Sequence, residues 1–251
     1  MQLDLSGKAV LVTASSSGIG RAIASAFLAE GSRVAINGRD EAALKQAAGE
    51  LAATAVAPGD ASTHDGAAAI VRHTREALGG LDVLVCNAGS GRSVIPGAEF
   101  AAEWQRVFQQ NLWTATNVIE AARPMLAKSR GAIICISSIC GSEVVPGAPI
   151  TYSAAKAALN AYVRGIARPL GREGVRINAV APGNIMFDGS VWARKRAEDA
   201  AGVQEMLDRD VALGRFGTLE DVVNVVLFLA SARAAFATGA VWTIDGGQVH
   251  G

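Results

Sequence analysis

The chain alternates between short runs of β-branched and apolar residues and longer alanine-rich segments in which apolar residues recur with helical period. Runs of the first kind predict strands, and segments of the second kind predict helices. Strands that alternate with helices are typical of βαβ units and a parallel sheet. The pattern predicts strands at residues 8–13, 33–37, 54–57, 81–86, 131–137, 175–180 and 240–244.

No linker, low-complexity stretch or internal repeat divides the chain. Residues 1–251 are therefore predicted to form a single α/β domain, a Rossmann-type doubly wound parallel sheet of about seven strands with helices on both faces. Ligands of such sheets bind beyond the carboxyl ends of the strands, so the residues that follow each strand are candidates for the site. The predicted helices cover about 18–30, 40–52, 62–78, 100–128, 151–170 and 219–230, and residues 184–215 are predicted to form a substrate lid.

The loop after the first strand, "TASSSGIG" at residues 13–20, places two glycines before a helix. A helix N-terminus offers free N–H groups and a positive dipole end to a phosphate. Gly18 would permit close approach of the backbone, and Gly20 would let the helix pack tightly on the sheet. The loop alone is equally compatible with an ordinary strand-to-helix turn. Ala14 stands where a first glycine is usual, and we predict a negative φ for it.

Gly38, Arg39 and Asp40 follow the second strand, where nicotinamide-dependent enzymes discriminate between their cofactors. An acidic residue there would bind the adenosine ribose hydroxyls, whereas an arginine can pair with a 2′-phosphate. Because Gly38 takes the acidic position and Arg39 follows it, NADP(H) is predicted over NAD(H). Arg39 could instead be solvated, and Asp40 also fits a helix N-cap. Asp60 could accept a hydrogen bond from adenine or cap the helix that starts near Ser62.

Asn87, Ala88 and Gly89 follow the fourth strand, and they are small enough for a cofactor to approach their backbone. Ser137 and Ser138 end the fifth strand. Successive residues of a strand point to opposite faces, so only one of these serines can face the site. Ser138 is favoured, with Ser137 as the alternative.

Tyr152 and Lys156 lie four residues apart in a predicted helix, on one face and one turn from each other. A nearby ammonium favours phenolate and would lower the tyrosine pKa from ~10 towards the range that a general acid or base needs. Taken alone, the pair is more typical of a helix surface than of a catalytic site.

Together, in this order and at these spacings, the motifs resemble those of the short-chain dehydrogenase/reductase family, specifically its classical branch. The resemblance covers essentially the whole chain, and members similar to 3-oxoacyl-acyl-carrier-protein reductases and to sugar-alcohol and secondary-alcohol dehydrogenases are nearest. The motifs that carry it are the loop 13–20, "NAG" at 87–89, Asn111, Ser138, "YSAAK" at 152–156, "PG" at 182–183 and "TGAVWTIDGG" at 238–247.

The resemblance implies an NADP(H)-dependent oxidoreductase that interconverts a carbonyl and a secondary alcohol by hydride transfer. It implies Tyr152 as the acid/base and Ser138 as the group that orients the substrate oxygen. Lys156 would bind the nicotinamide ribose and lower the tyrosine pKa, and Asn111 would hold a water that links Lys156 to solvent. The implied cofactor-binding residues are Ser16, Ser17, Gly18, Ile19, Gly20, Arg39, Asp60, Ala61, Asn87, Ala88, Gly89, Tyr152, Lys156, Pro182, Gly183 and Ile185.

The sequence departs from the family pattern at three points. Ala14 replaces the first glycine of TGxxxGxG, and the interval between Ser138 and Tyr152 is one residue longer than the commonest form. Phe187 stands where many members have a threonine that helps to hold the cofactor carboxamide. The Ile185 backbone could still serve at this end.

The amino-acid composition limits the kinds of partner that this protein is expected to bind. Basic and acidic residues number 23 each, so no net charge favours nucleic acid or an anionic membrane, and neither partner is expected. The apolar run 222–230 is far shorter than the ~20 residues of a membrane span, and the N-terminus lacks a signal-peptide pattern, so we expect a cytoplasmic protein. Cys86, Cys135 and Cys140 form no CxxC pair and are expected to be buried. No histidine has a second ligand at metal-binding spacing, so no metal is expected.

The substrate is expected to be a small carbonyl or alcohol compound bound in a mostly apolar pocket. A basic cluster at 194–196 could contact an acidic carrier protein or a phosphate, or form a solvated face beside Glu198 and Asp199. The helices at 100–128 and 151–170 carry apolar residues on more than one face, which with the resemblance favours a homotetramer. The expected pocket residues are Ser90, Arg92, Glu143, Val144, Val145, Phe187 and Trp192.

Three alternatives to this function remain open. One is an NAD-dependent alcohol dehydrogenase of the same family. Another is a non-catalytic nucleotide-sensing protein on the same fold, which the presence of Asn111, Ser138, Tyr152 and Lys156 disfavours. The third is an epimerase or dehydratase of the family's extended branch, which the short chain disfavours.

Overall fold

The computed structural model describes residues 2–249 and contains a seven-stranded, wholly parallel sheet. Its strand order is β3-β2-β1-β4-β5-β6-β7, so β1 and β4 lie side by side although two further strands separate them in sequence. This reversal is the switch point of a doubly wound sheet, where ligands bind. The strands are β1 Ala9–Val12, β2 Arg33–Ile36, β3 Ala55–Val56, β4 Val83–Cys86, β5 Ala132–Ile136, β6 Arg176–Pro182 and β7 Val241–Ile244.

Helices cover both faces of the sheet, and each face has its own hydrophobic cluster. All four residues of β1 and of β4 are buried, because both sides of these central strands are covered. The predicted Rossmann-type fold is confirmed. Within residues 2–249 the α-helices are α1 Gly18–Ala29, α2 Glu41–Leu51, α3 His64–Leu78, α4 Ala101–Phe108, α5 Thr114–Ser129, α6 Ile150–Arg172, α7 Val191–Glu198, α8 Ala200–Asp210 and α9 Leu219–Ala230.

The continuous helix predicted over 100–128 is wrong in one respect. A π-helical turn, Gln109–Trp113, separates α4 from α5. Asn111 lies in this turn and is fully buried, and its Nδ2 donates to the carbonyl oxygen of Val107 at 3.0 Å and to that of Ser90 at 3.1 Å. Apolar periodicity cannot reveal such a turn, since the residues that flank it keep helical spacing.

Candidate active site

The carboxyl ends of β1 and β4 meet at the switch point, and side chains tie their loops together. Thr13 Oγ1 accepts hydrogen bonds from the N–H groups of Asn87 (3.0 Å) and Ala88 (3.2 Å). Asn87 Nδ2 donates in turn to the carbonyl oxygens of Thr13 (3.1 Å) and Ala14 (3.0 Å). The loops at 13–20 and 87–89 therefore form one unit.

Ala14 has a φ of +49°, so the prediction of a negative φ is wrong. Its N–H donates to Asn37 Oδ1 at 3.1 Å, and its carbonyl oxygen accepts from Asn87. These two bonds hold the residue in the left-handed region, which costs a residue with a β-carbon roughly 1–2 kcal/mol. The glycine expected here by the resemblance would adopt this conformation without that cost.

The start of α1 presents unused donors to the switch point. Its N-cap, Ser17, makes no side-chain hydrogen bond to the first turn, and that turn carries no acidic residue. The N–H groups of Gly18, Ile19 and Gly20 are thus available to an anion. Gly20 has a packing role, because a β-carbon there would lie 2.5 Å from the carbonyl oxygen of Ala14. This arrangement fits the pyrophosphate of a dinucleotide.

Phe187 lies against this helix start. A β-carbon at Gly18, which has a φ of +56°, would lie 3.2 Å from the Phe187 ring. The ring therefore flanks the start of α1 and does not line the large cavity described below, so the prediction of Phe187 as a pocket residue is wrong. Only glycine allows this close contact together with a positive φ.

Arg39 extends from the end of β2 and its side chain is 72 % exposed. Its Nη1 atom lies 4.0 Å from Asp60 Oδ2, a weak pairing that leaves the guanidinium accessible. Ser16 Oγ lies 3.7 Å from the position of a β-carbon on Gly38, so Ser16 and Arg39 border the same corner. A 2′-phosphate fits this corner, since no acidic side chain stands at position 38.

Asp40 and Asp60 were both candidates for a helix N-cap, and only one of them is one. Asp40 is the N-cap of α2, and its Oδ1 accepts from the N–H groups of Ala42 (2.9 Å) and Ala43 (3.0 Å). Asp60 does not cap α3. Its Oδ1 accepts from the N–H of Ser62, whereas Thr63 caps that helix. The neighbouring Ala61 is buried against the hydrophobic cluster on the α3 side, so only its backbone can face a ligand.

Ser138, Tyr152 and Lys156 converge where β5 and α6 approach each other. Ser138 and Tyr152 line the same cavity, and the Ser138 hydroxyl is near enough to the phenol to act on its pKa. Lys156 is 3 % exposed, and its Nζ atom lies 5.8 Å from the centroid of the Tyr152 ring and donates to the carbonyl oxygen of Ile136 at 2.8 Å. The helical i, i+4 spacing therefore places both side chains on the inner face of α6, and the reading of a surface pair is wrong.

Burial controls the ionisation of both groups. Removal from water raises the pKa of Tyr152 to about 12, although the Ser138 hydroxyl opposes this shift. Burial likewise lowers the pKa of Lys156 to about 8. The expectation that Lys156 lowers the tyrosine pKa is therefore not met in this structure, because burial dominates the pKa of Tyr152 and raises it. The protonated phenol at neutral pH is suited to donate a proton.

Ser137 has a structural role. Its Oγ donates to Asn160 Oδ1 at 2.6 Å, and Asn160 Nδ2 donates to the carbonyl oxygen of Gly141 at 3.0 Å. These bonds attach the loop that follows β5 to α6. Ser138 is thus the serine that faces Tyr152, in agreement with the favoured reading.

Asn111 and Lys156 flank Gly89. A β-carbon at Gly89 would lie 2.9 Å from Asn111 Oδ1 and 3.1 Å from Lys156 Nζ. The Asn111 side chain also clamps Ser90, accepting from its N–H at 2.9 Å. The missing side chain at position 89 leaves a polar cradle beside Lys156, which fits a nicotinamide ribose.

Pro182, Gly183 and Ile185 lie at the end of β6, across the site from α1. Pro182 is still part of β6 and is aligned with Ile244 of β7. A β-carbon at Gly183 would lie 2.7 Å from Asp245 Cβ, so the close packing of this turn requires glycine. Ile185 is 5 % exposed, which leaves its backbone as the part that can contact a cofactor.

A cavity of about 1050 Å³ opens beside Ser138 and Tyr152. Glu143, Val144, Val145 and Trp192 line it as predicted, but Ser90 and Arg92 do not. The cavity carries more charged side chains than the expected pocket residues alone supply, because α7, α8 and the C-terminal segment add polar side chains. Its charged residues are Glu143, Lys195, Glu198, Asp199, Arg209 and Asp210.

The pocket residues that sequence reasoning missed include one thiol and two amides. Cys140, expected to be buried, is half-buried and lies beside Ser138, whereas Cys86 and Cys135 are buried as predicted. Asn184 and Gln248 bring two amides into the pocket. Their positions after "PG" and after "DGG" were the available signals, since both follow strands on this side of the sheet.

A helix start with free N–H groups at the switch point, together with the serine, tyrosine and lysine where β5 meets α6, is typical of a dinucleotide-dependent α/β enzyme. Residues 13–249 match the family model described as enoyl-(acyl carrier protein) reductase. The chain is 36% identical over 250 residues to a 3-oxoacyl-[acyl-carrier-protein] reductase of Chlamydia muridarum, covering 97% of this chain and 98% of that protein. It belongs to the short-chain dehydrogenase/reductase family, as the resemblance predicted, and is an oxidoreductase of that family.

Two further similarities bear on the substrate. The chain is 36% identical over 249 residues to L-fucose dehydrogenase of Mus musculus, covering 98% of this chain and 90% of that protein. A crystal structure of L-sorbose reductase from Gluconobacter frateurii, complexed with NADPH and L-sorbose, superposes with a TM-score of 0.92 at 30% identity, covering 100% of both chains.

Proposed function

We propose that this protein is an NADP(H)-dependent oxidoreductase that interconverts a carbonyl and a secondary alcohol, with Tyr152 as the acid/base. The observation that carries the proposal is the arrangement of Ser138, Tyr152 and Lys156 between the cofactor cradle at Gly89 and the large cavity. A bound nicotinamide would supply the hydride in reduction. The relatives named for 3-oxoacyl, fucose and sorbose substrates support carbonyl or alcohol chemistry of this kind.

The protein groups divide the remaining work. In reduction the Tyr152 phenol donates its proton to the carbonyl oxygen of the substrate, and Ser138 donates a hydrogen bond that orients that oxygen. Lys156 binds the ribose hydroxyls from the Gly89 cradle. Asn111 holds the backbone of Ser90 and borders the path by which a water could return a proton to Lys156.

The preference for NADP(H) rests on Arg39. Its exposed guanidinium can form charge-assisted hydrogen bonds with a 2′-phosphate, and Gly38 offers no carboxylate to bind ribose hydroxyls or repel that phosphate. The structure of a relative complexed with NADPH supports this choice.

We also propose a homotetramer, built on α4, α5, α6 and β7. Phe100 is 56 % exposed and Trp113 38 %, and β7 is the last strand at one edge of the sheet. Light scattering coupled to size-exclusion chromatography tests this assembly, and a monomer throughout would contradict it. No helix within residues 2–249 is long and apolar enough to cross a membrane.

Two measurements test the proposed function. Fluorescence titration with NADPH and NADH should show tighter binding of NADPH, and a screen of ketones and secondary alcohols with NADPH or NADP⁺ should show turnover. Tighter NADH binding would favour the NAD-dependent alternative. Binding of either nucleotide without turnover of any compound would favour the nucleotide-sensing alternative.

A further inference from the structure

Two amide side chains in the cavity are poorly satisfied by the protein. Gln248 Oε1 is buried and has no hydrogen-bond partner within residues 2–249. Asn184 Nδ2 reaches only the sulfur of Met206, at 3.6 Å, which is a weak acceptor. Both residues line the same cavity as Ser138 and Tyr152. A buried polar group without a partner costs about 1–3 kcal/mol, so a ligand that supplies partners to these amides is strongly favoured.

The position of Gln248 is fixed by the C-terminal turn. Asp245 accepts hydrogen bonds from the N–H groups of Gly247 (2.9 Å) and Val249 (2.8 Å). This turn brings Gln248 Oε1 to 3.2 Å from the place of a β-carbon on Gly183. Gln248 is therefore held against the end of β6, where Asn184 also lies.

The charges in the cavity oppose an anionic substrate. Four carboxylate residues, Glu143, Glu198, Asp199 and Asp210, outnumber two cationic residues. Both cations are engaged. Arg209 donates to both oxygens of Asp210, at 2.7 and 2.8 Å, and Lys195 Nζ lies 4.6 Å from the centroid of the Trp192 ring.

From these observations we propose that the substrate is a neutral polyhydroxylated compound, an alditol or the matching ketose, whose hydroxyls beyond the reacting carbon bind Asn184 and Gln248. A hydroxyl both donates and accepts, so it can satisfy an amide oxygen and an amide N–H alike. A plain alkyl chain would leave both amides unpaired, and a phosphate-bearing thioester would meet the excess of carboxylates. This inference rests on the proposed function and specifies the substrate class of the same site.

The test compares three classes of alcohol in the direction of oxidation with NADP⁺. The probes are a panel of hexitols (sorbitol, mannitol and galactitol), hexan-2-ol, and 3-hydroxybutyryl-CoA. Hexitols do not cyclise, so the reacting alcohol is always available. At least one hexitol should have a kcat/KM at least tenfold above that of hexan-2-ol, because a site built to bind hydroxyls rejects an analogue that lacks them.

A substitution at Gln248 tests whether this side chain causes the preference for hexitols over hexan-2-ol. Gln248→Met keeps the length of the side chain and removes its polar atoms, and it should lower the preference for hexitol over hexan-2-ol about tenfold. Gln204→Met, on the exposed side of α8 outside the cavity, is the matched control and should leave that preference unchanged. A preference for hexan-2-ol or 3-hydroxybutyryl-CoA, or equal losses on all probes in Gln248→Met, overturns the inference while the proposed function stands. No turnover of any probe or of any compound in the wider screen overturns both.

Discussion

The cofactor side and the substrate side of the site are built in different ways. On the cofactor side, glycines and short polar residues at the strand ends satisfy one another through backbone contacts, as Thr13, Asn37 and Asn87 do around Ala14. On the substrate side, long side chains from α7, α8 and the C-terminal turn line an open cavity, and the amides of Asn184 and Gln248 lack good partners. The cofactor side is specified by backbone geometry and is therefore suited to a single kind of ligand. On the substrate side, single substitutions of side chains can change which ligand binds.

The largest effect should come from Tyr152→Phe, which removes the proton donor and keeps the ring. We expect kcat to fall by a factor of about 10²–10⁴ with little change in the dissociation constant of NADPH, because the phenol acts on the substrate side. Steady-state kinetics and fluorescence titration measure the two quantities. Tyr162→Phe, on the same helix, is the control and should retain activity. Substantial turnover in Tyr152→Phe would refute the assignment of the acid.

Arg39→Ala should affect cofactor binding, whereas Tyr152→Phe should affect turnover, so the two variants together separate the cofactor side from the substrate side. Loss of charge-assisted hydrogen bonds to a 2′-phosphate should weaken NADPH binding about 10–100-fold and leave NADH binding nearly unchanged. Titration of the variant with both cofactors measures this. Arg72→Ala, at an exposed position of α3, removes the same charge elsewhere and should alter neither constant. Equal weakening of NADPH and NADH binding would show that Arg39 does not discriminate between the cofactors through the 2′-phosphate.

The sequence reveals the cofactor side more fully than the substrate side for the same physical reason. Gly18, Gly20 and Gly89 stand where the backbone requires glycine, so the residue type itself reveals the constraint. The proximity of Tyr152 and Lys156 follows from their spacing of four residues in a helix. The π-helical turn at Asn111 was not foreseen, because it preserves the apolar pattern around it. Gln248 and Asn184 were missed because their places in the cavity depend on the tertiary packing of the C-terminal turn, α7 and α8.

The pH dependence tests Lys156, which lies between the two sides. Its pKa in the folded protein is lowered to about 8, so it is charged below that pH and loses its charge above it. In the reduction direction Tyr152, with a pKa of about 12, stays protonated throughout this range. We therefore expect kcat/KM for NADPH, which reports free-enzyme ionisations, to fall about tenfold between pH 7 and pH 9. A flat profile up to pH 10 would contradict the lowered pKa.

The smallest effect should come from Ala14→Gly, which tests whether the cofactor side tolerates backbone strain. Ala14 and Ala52 both have positive φ, +49° and +51°, but Ala14 is held inside the site and Ala52 ends α2 at its C-cap. Glycine relieves the left-handed strain but increases the entropy of the unfolded chain, so each variant should gain roughly 0.5–1 kcal/mol in free energy of unfolding. Urea denaturation measures the gain. If the hydrogen bonds of Asn37 and Asn87 fix the loop, the affinity for NADPH should stay the same in Ala14→Gly. Ala52→Gly is the control. Weaker NADPH binding in Ala14→Gly than in Ala52→Gly would show that the methyl group of Ala14 itself holds the loop in the conformation that binds the phosphate.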